Sequence, residues 1–462
     1  MASRLTGARW RGVYLLKRRG REAIRPTPDN IWSGHGIRWN FRLSVYDIML
    51  SNVALGMVTP FLPVFAMALG GSNAVVGLIT AIPALVNTVM YLPAASFVES
   101  QPSRLRTTIN WSTAVRLSWL LIASIAFVPR PELRAPLLLA AIGIQAIPQV
   151  VTNVAWTALL GDLFPQTERA HLFSLRSMYG AAVTLVSSLA AGILLDKVKY
   201  PYNYTALFVI TFICGVWALH VCSKMVERPV QPRRENRKSL WQRVKAPFAD
   251  SEYGRQFGVF AMSAAMMHLG INIAVPAFAI YHVRVLNLSN SMIGAITLAS
   301  GLTSVLAYPM WGRISRRSGD SVVYGVSILA FAAFPVSYGL CGTPAYLLAV
   351  QAIIGVFSAG FNFTLLNLTL TNVRPADSAN GIAVFNMLMN ATGIIGPPLA
   401  ALVISHYGVM GAFILSSVFR LAGCVIYIGA MGAGETFKQM KEAFTPRRLL
   451  RRRRQRQVKG VL

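Results

Sequence analysis

Between about position 43 and position 431, apolar blocks of twenty or more residues alternate with short charged gaps. A block of that length is what one helix needs to cross the hydrocarbon core of a bilayer. Helix is the default there, because lipid offers no partner to an unpaired backbone group. Charged residues make up only 13% of the 462 residues, about half the share usual in a soluble domain. A soluble fold would have to bury many helices that are apolar all round. The pattern therefore predicts an all-α polytopic membrane protein. Its twelve spans fall at 43–69, 73–97, 107–128, 135–160, 171–195, 202–223, 256–283, 290–311, 321–341, 344–371, 379–405 and 409–431.

Twelve spans place both tails on one side, and the cations choose the side. Most of the 44 Lys and Arg fall in the tails and in the even-to-odd gaps. The opposite gaps hold five, namely Arg130, Arg134, Lys197, Lys199 and Arg284. Cytoplasmic loops carry such an excess, so both termini are expected in the cytoplasm and the chain in the plasma membrane. The same placement accounts for the formal net charge of +28 without nucleic acid as a partner. The tail 447-RRLLRRRRQRQVKG-460 suits anionic lipid head groups.

The expected organisation is a basic N-terminal tail over 1–42, a six-helix bundle over 43–223, a cytoplasmic linker over 224–255, a second bundle over 256–431 and a basic tail over 432–462. The N-terminal tail lacks the apolar core of a signal peptide. Within the linker, Trp241, Val244 and Phe248 recur at helical spacing among cations, which suits a short helix on the inner membrane surface. Pro247 would disturb that helix. The cysteines Cys214, Cys222, Cys341 and Cys424 form no CxxC pair and read as small core residues.

The chain repeats itself. Residues 73–104 align with 290–321 at an offset of 217, so that Asn73 meets Asn290, Gly77 meets Gly294, Thr80 meets Thr297 and Tyr91 meets Tyr308. Residues 162–196 align with 372–406 at an offset of 210, with Pro165 on Pro375. Matching order and direction mean one six-span unit used twice. Such a duplication places a cavity between the halves near the bilayer midplane.

The loop after the second span of each half carries a resemblance. Gly312-Arg-Ile-Ser-Arg316-Arg-Ser-Gly319-Asp-Ser resembles the signature Gly-x-x-x-Asp-x-x-Gly-x-Arg/Lys of the major facilitator superfamily (MFS), with Arg316 where the acid belongs. Its counterpart, Ala95-Ser-Phe-Val-Glu99-Ser-Gln-Pro102-Ser-Arg104, keeps the acid and the closing Arg without the glycines. The likeness covers about residues 40–432. It implies the MFS fold, two six-helix bundles that expose a solute site alternately, and usually a monomer. It also implies that Glu99, Arg104, Gly312, Arg316 and Gly319, with Asp162 and Arg169, act as gate or latch residues. Drug antiporters of the superfamily carry an Arg in the fourth span and a Gly-Pro pair in the fifth. This chain has neither there, and places Gly393-Ile-Ile-Gly396-Pro397-Pro398 in the eleventh.

Ionisable groups inside a span are costly and mark function. Asp47 lies about one turn into the first span, with Ser51 and Asn52 four and five positions on, so a polar stripe can face the bundle. Asp47 can equally pair with a loop cation such as Arg169 or Arg176. Arg116 and Arg420 lie inside the third and twelfth spans, as packing anchors on backbone carbonyls or as substrate contacts. His268 and Asn272, four apart, share a face of the seventh span. Further cavity candidates are Asn87, Gln145, Asn153, Trp156, Asn362 and Asn367. This inventory of amides, a His and cations, without a central carboxylate, disfavours a cationic substrate.

The expected function is a secondary transporter or facilitator of a small solute, with H+ and Na+ both open as coupling ions. Two rivals remain. A transport-inactive sensor or assembly protein would explain the degenerate signature loops. A membrane enzyme would need clustered His, Asp or Cys, and the six His are scattered. With no P-loop and no ligand cluster, neither cofactor nor metal is expected.

Overall fold

A computed structural model describes residues 31, 33–164, 166–227, 244–340, 343–374 and 378–431; the side chains of 92, 166–174, 251, 252, 378, 379 and 431 are outside that description. The linker around Trp241 and both basic tails lie outside it, as do Cys341 and the first 30 residues.

The described residues form helices joined by short turns. They are α1 (Gly34–Val58), α2 (Leu62–Ala68), α3 (Asn73–Glu99), α4 (Arg104–Ser124), α5 (Pro131–Leu163), α6 (Gln166–Lys197), α7 (Tyr202–Cys222), α8 (Ser251–Ile280), α9 (Asn290–Ser318), α10 (Asp320–Gly339), α11 (Pro344–Thr371) and α12 (Ser378–Met431). Helices α1 and α2 make one span, broken by the turn at Thr59–Phe61, where Pro60 removes a backbone donor. Helix α12 holds two spans, because Gly408 leaves helical geometry at φ 69° and ψ 179°. The described residues thus supply the twelve spans of a multi-pass membrane protein. Helix α1 begins upstream of position 43, where the Ser33 hydroxyl accepts from Gly36 N at 3.0 Å and caps it. Pro247 sits in a short 3-10 turn, Ala246–Phe248, and the following helix starts only at Ser251.

The chain divides into two compact units. The first takes residues up to 236 together with 287–298, and the second takes 237–286 and 299 onward. In the first, α1 packs on α6 and α7, α4 packs on α5 and α7, and α3 packs on α5. In the second, α8 and α10 pack on α12, and α10 packs on α11. Equivalent members of the sequence repeat make equivalent pairs. Large apolar side chains such as Ile144, Val186, Trp217 and Val425 are exposed, as is common in helices that cross hydrocarbon.

Small residues let these helices touch. A Cβ at Gly56 of α1 would stand 2.3 Å from the Thr184 carbonyl oxygen of α6, so the two backbones are in direct contact there. The second unit makes the same kind of contact, where a Cβ at Gly423 of α12 would stand 2.7 Å from the Ser263 carbonyl oxygen of α8, and adds aromatic rings, with Phe257, Phe260, Tyr324, Phe331, Phe361 and Tyr427 in one buried cluster.

Three polar side chains tie the ends of the first unit. The buried Asn40 amide donates to Val226 O and accepts from Val226 N, both at 3.0 Å. Glu227 accepts from Leu105 N at 2.9 Å and from the Ser103 hydroxyl, so its carboxylate caps α4. The start of the linker is therefore stitched to α1 and α4. At the other end, Asp196 accepts from Asn290 N and Nδ2, both at 2.9 Å, and from Ser291 N at 2.7 Å.

Candidate functional site

Ser44, Asp47 and Ser51 lie three and four residues apart on α1 and share one stripe of the helix. The packing of α1 on α6 and α7 turns that stripe inward, so that Ser44 and Asp47 are buried. Three other helices of the first unit bring side chains to it. From α6, Arg176 donates its Nε to Ser44 O at 3.3 Å and sets its Nη2 3.9 Å from Asp47 Oδ2. From α5, Trp156 lies under the same guanidinium, with 5.1 Å between Arg176 Cζ and the ring centroid. From α4, Arg116 donates Nη2 to the Ser51 hydroxyl at 3.3 Å. Its Nε is buried with no partner among the described residues. Its stem passes Gly215 of α7, where a Cβ would stand 2.6 Å from Arg116 Cδ.

The result is a largely buried cluster of two guanidinium groups and one carboxylate, in which Asp47 is buried and both arginines are half-buried. Among the described residues Asp47 accepts no hydrogen bond. The 3.9 Å separation from Arg176 exceeds hydrogen-bond length. Arg176 proves to be well inside α6, rather than a loop cation, whereas the side chain of Arg169 lies outside the described residues. Asn52 is half-buried and packs against α6, where a Cβ at Gly180 would meet its Nδ2 at 2.2 Å.

The second unit handles its intramembrane cation differently. Arg420 is 3% exposed. It donates Nη1 to Phe331 O at 3.1 Å, its Cζ lies 5.4 Å from the Phe331 ring centroid, and its Nε is unpartnered among the described residues. Its stem runs past Gly270 of α8. His268 donates Nδ1 to Ala264 O at 3.1 Å and faces the Phe361 ring at 5.4 Å. Asn272 donates to the Thr392 hydroxyl at 3.0 Å, which ties α8 to α12.

The remaining amide candidates are dispersed. Gln145 is buried with its Nε2 unpartnered among the described residues, and Asn87 and Asn367 are half-buried. Asn153 accepts from Gln149 at 2.9 Å, and Asn362 donates to Ser358, each within its own helix.

Of the loop residues, Arg104 and Asp162 meet in a 2.6 Å ion pair that ties α4 to α5. Glu99 is exposed and makes no hydrogen bond or ion pair among the described residues. Arg316 is exposed as well, and a Cβ at Gly312 would meet nothing nearer than 3.7 Å. Gly319, at φ 87°, occupies the left-handed region that glycine adopts without strain, and it turns the chain from α9 into α10. The adjoining Ser315 hydroxyl bonds the Asp320 carboxylate. No signal in the sequence pointed to Asn40 or Glu227, because their partners lie more than a hundred positions away. Among the described residues no three His, Cys, Asp or Glu side chains gather as metal ligands.

Comparison with known proteins agrees with this architecture. The quinolone resistance protein NorA of Staphylococcus aureus (strain MRSA252) is 23% identical over 175 residues, which is 36% of this chain and 45% of NorA. The alignment thus spans less than half the length of that relative. Crystal structures share the fold at 13% identity. A mutant of the nucleoside transporter NupG superposes at a TM-score of 0.67, over 85% of this chain and 99% of that one. A bacterial homologue of the human lysosomal transporter Spinster, inward-facing and unoccupied, superposes at 0.62, over 89% and 98%. A family model of the Major Facilitator Superfamily matches residues 48–259 and again 260–458. Repeat, fold and match agree, and the chain belongs to the major facilitator superfamily, whose members are transporters rather than enzymes.

Proposed function

We propose that the chain is a secondary transporter that moves a small solute across the plasma membrane by alternating access, one six-helix unit moving against the other. The observation that carries this reading is the buried Asp47–Arg116–Arg176 cluster within a duplicated chain of this family. Burying three ionisable groups in lipid is costly, and helix packing alone does not call for them. The protein acts as a monomer with both termini in the cytoplasm, and its basic tails rest on anionic lipid.

The test is solute exchange by the purified protein in liposomes, run under imposed proton and sodium gradients. Saturable exchange of at least one solute from a broad panel is expected, and the gradient that accelerates it names the coupling ion. Quinolones belong in the panel because of the likeness to NorA. The absence of any exchange, together with a soluble partner retained through the basic tails, favours the second reading of a sensor. That reading draws on Arg316, which replaces the acid of the signature, and on the missing glycines around Glu99.

A further inference from the structure

We propose that Arg176, seated on Trp156 and set apart from Asp47, holds the carboxylate of an organic anion, and that this anion is the class of solute carried. The second clause rests on the transporter reading; the first does not.

Charge makes the first case. The cluster holds the guanidinium groups of Arg116 and Arg176 against the single carboxylate of Asp47. An unbalanced charge shielded from water is costly, and a bound anion balances it. A cationic ligand would add to the excess instead.

Geometry makes the second. Arg176 engages only its Nε, on Ser44 O, and its nearest approach to Asp47 is 3.9 Å. Its two Nη groups are thus without a hydrogen bond among the described residues. They form the planar fork that a carboxylate accepts in bidentate fashion. Trp156 and the Ser44 carbonyl hold the guanidinium in one orientation before any ligand arrives. Neither group is sealed, since Arg176 and Asp47 keep 13% and 12% of their side-chain surface exposed. A closed structural ion pair would have drawn the two groups into hydrogen-bond contact and covered both.

The experiment is a ligand-dependent thermal shift on the full-length protein in detergent. Acetate and benzoate are the probes, and acetamide and benzamide are their neutral counterparts. Each variant is compared with itself without ligand, so a change in basal stability does not enter. At least one carboxylate is expected to raise the melting temperature of the unaltered protein while its amide does not. Arg176→Gln weakens that binding at least about thirtyfold, and Arg176→Lys, which keeps the charge without the fork, falls between. Asp47→Asn strengthens binding, because the competing carboxylate is gone. Opposite responses at Asp47 and Arg176 are the mark of an anion site, whereas a purely structural pair would respond alike. The proposal is overturned if neither carboxylate shifts the melting temperature, if the amides match them, or if Arg176→Gln binds as the unaltered protein does. Carboxylate binding without exchange in liposomes would keep the site and sink the transporter reading. Exchange of other solutes without carboxylate binding would do the reverse.

Discussion

Each unit buries an arginine where equivalent helices meet, and each treats it differently. In the first unit Arg116 leaves α4, passes Gly215 of α7 and reaches Ser51 of α1, with Asp47 on the same stripe. In the second Arg420 leaves α12, passes Gly270 of α8 and reaches the Phe331 carbonyl of α10, and it makes no ion pair among the described residues. The repeat places the pair α4–α7 on α10–α12, so the cation has changed partners within an equivalent pair. A guanidinium withdrawn from water needs hydrogen bonds before it needs a counter-charge. The second unit meets that need with a carbonyl and a ring face. The first has a carboxylate in an ion pair at 3.9 Å without a hydrogen bond among the described residues, and that looser arrangement is the one expected of a working site rather than an anchor.

The largest expected effect comes from taking that carboxylate away. Asp47→Leu leaves Arg116 and Arg176 buried without compensation. Breaking a buried charge set in this way costs about 3–5 kcal/mol, read as a clear fall in melting temperature in detergent. Added carboxylate ligand should restore part of it. A variant as stable as the unaltered protein would show that the first unit needs no acid either, and the contrast between the units would collapse.

A smaller effect probes how the two stems are sheathed. A Cβ at Gly270 would stand 2.6 Å from the Ser416 carbonyl oxygen and 2.7 Å from Arg420 Cγ. Backbone cannot give way, so Gly270→Ala is expected to cost about 1–3 kcal/mol. The three atoms nearest the Cβ of Gly215→Ala all belong to the Arg116 side chain, which can shift where backbone cannot, and the helix gains up to about 1 kcal/mol in propensity. Its net effect should lie near zero. Equal melting temperatures for the two variants would mean that Arg420 is no more tightly held than Arg116.

Much of the frame was legible in the residues. The tenth span was expected at 344–371 and is α11, Pro344–Thr371. The eleventh and twelfth spans were expected on either side of 408, where Gly408 breaks α12. Apolar run length carries that information directly. Helix α1 begins earlier than its apolar run because Ser33 caps a turn containing His35 and Arg38, which hydropathy alone assigns to the tail. The candidate site was legible only in part. Asp47, Ser51, Trp156 and Arg116 stand out as polar or aromatic groups inside apolar blocks. Their meeting with Arg176 depends on the close approach of α1 to α6 at Gly56, and a contact between positions 129 apart has no local signal. The amides mislead for the opposite reason, since Asn153 and Asn362 find partners within their own helices.

Arg420 offers a sharper form of the comparison with a still smaller effect. Arg420→Met keeps the stem against Gly270 and removes the charge. Replacing a buried charged group by an apolar one of similar volume is often neutral or stabilising. The expected change is therefore within about 1 kcal/mol or a gain, with carboxylate binding at the first unit unaltered. A loss of binding together with stability would make Arg420 part of the site.

Glu99→Gln is expected to do least to stability and is informative for that reason. The carboxylate is exposed and makes no hydrogen bond or ion pair among the described residues in this conformation, so the melting temperature should stay within about 1 °C. A latch residue can be idle in one conformation and engaged in another. The measurement is therefore the labelling rate of cysteines introduced one at a time along the inner-face loops, with and without a bound solute. A rate that changes in Glu99→Gln while the melting temperature holds supports a state-dependent contact. Unchanged labelling would leave Glu99 as an interfacial charge and shift attention to the Arg104–Asp162 pair, which is already closed at 2.6 Å.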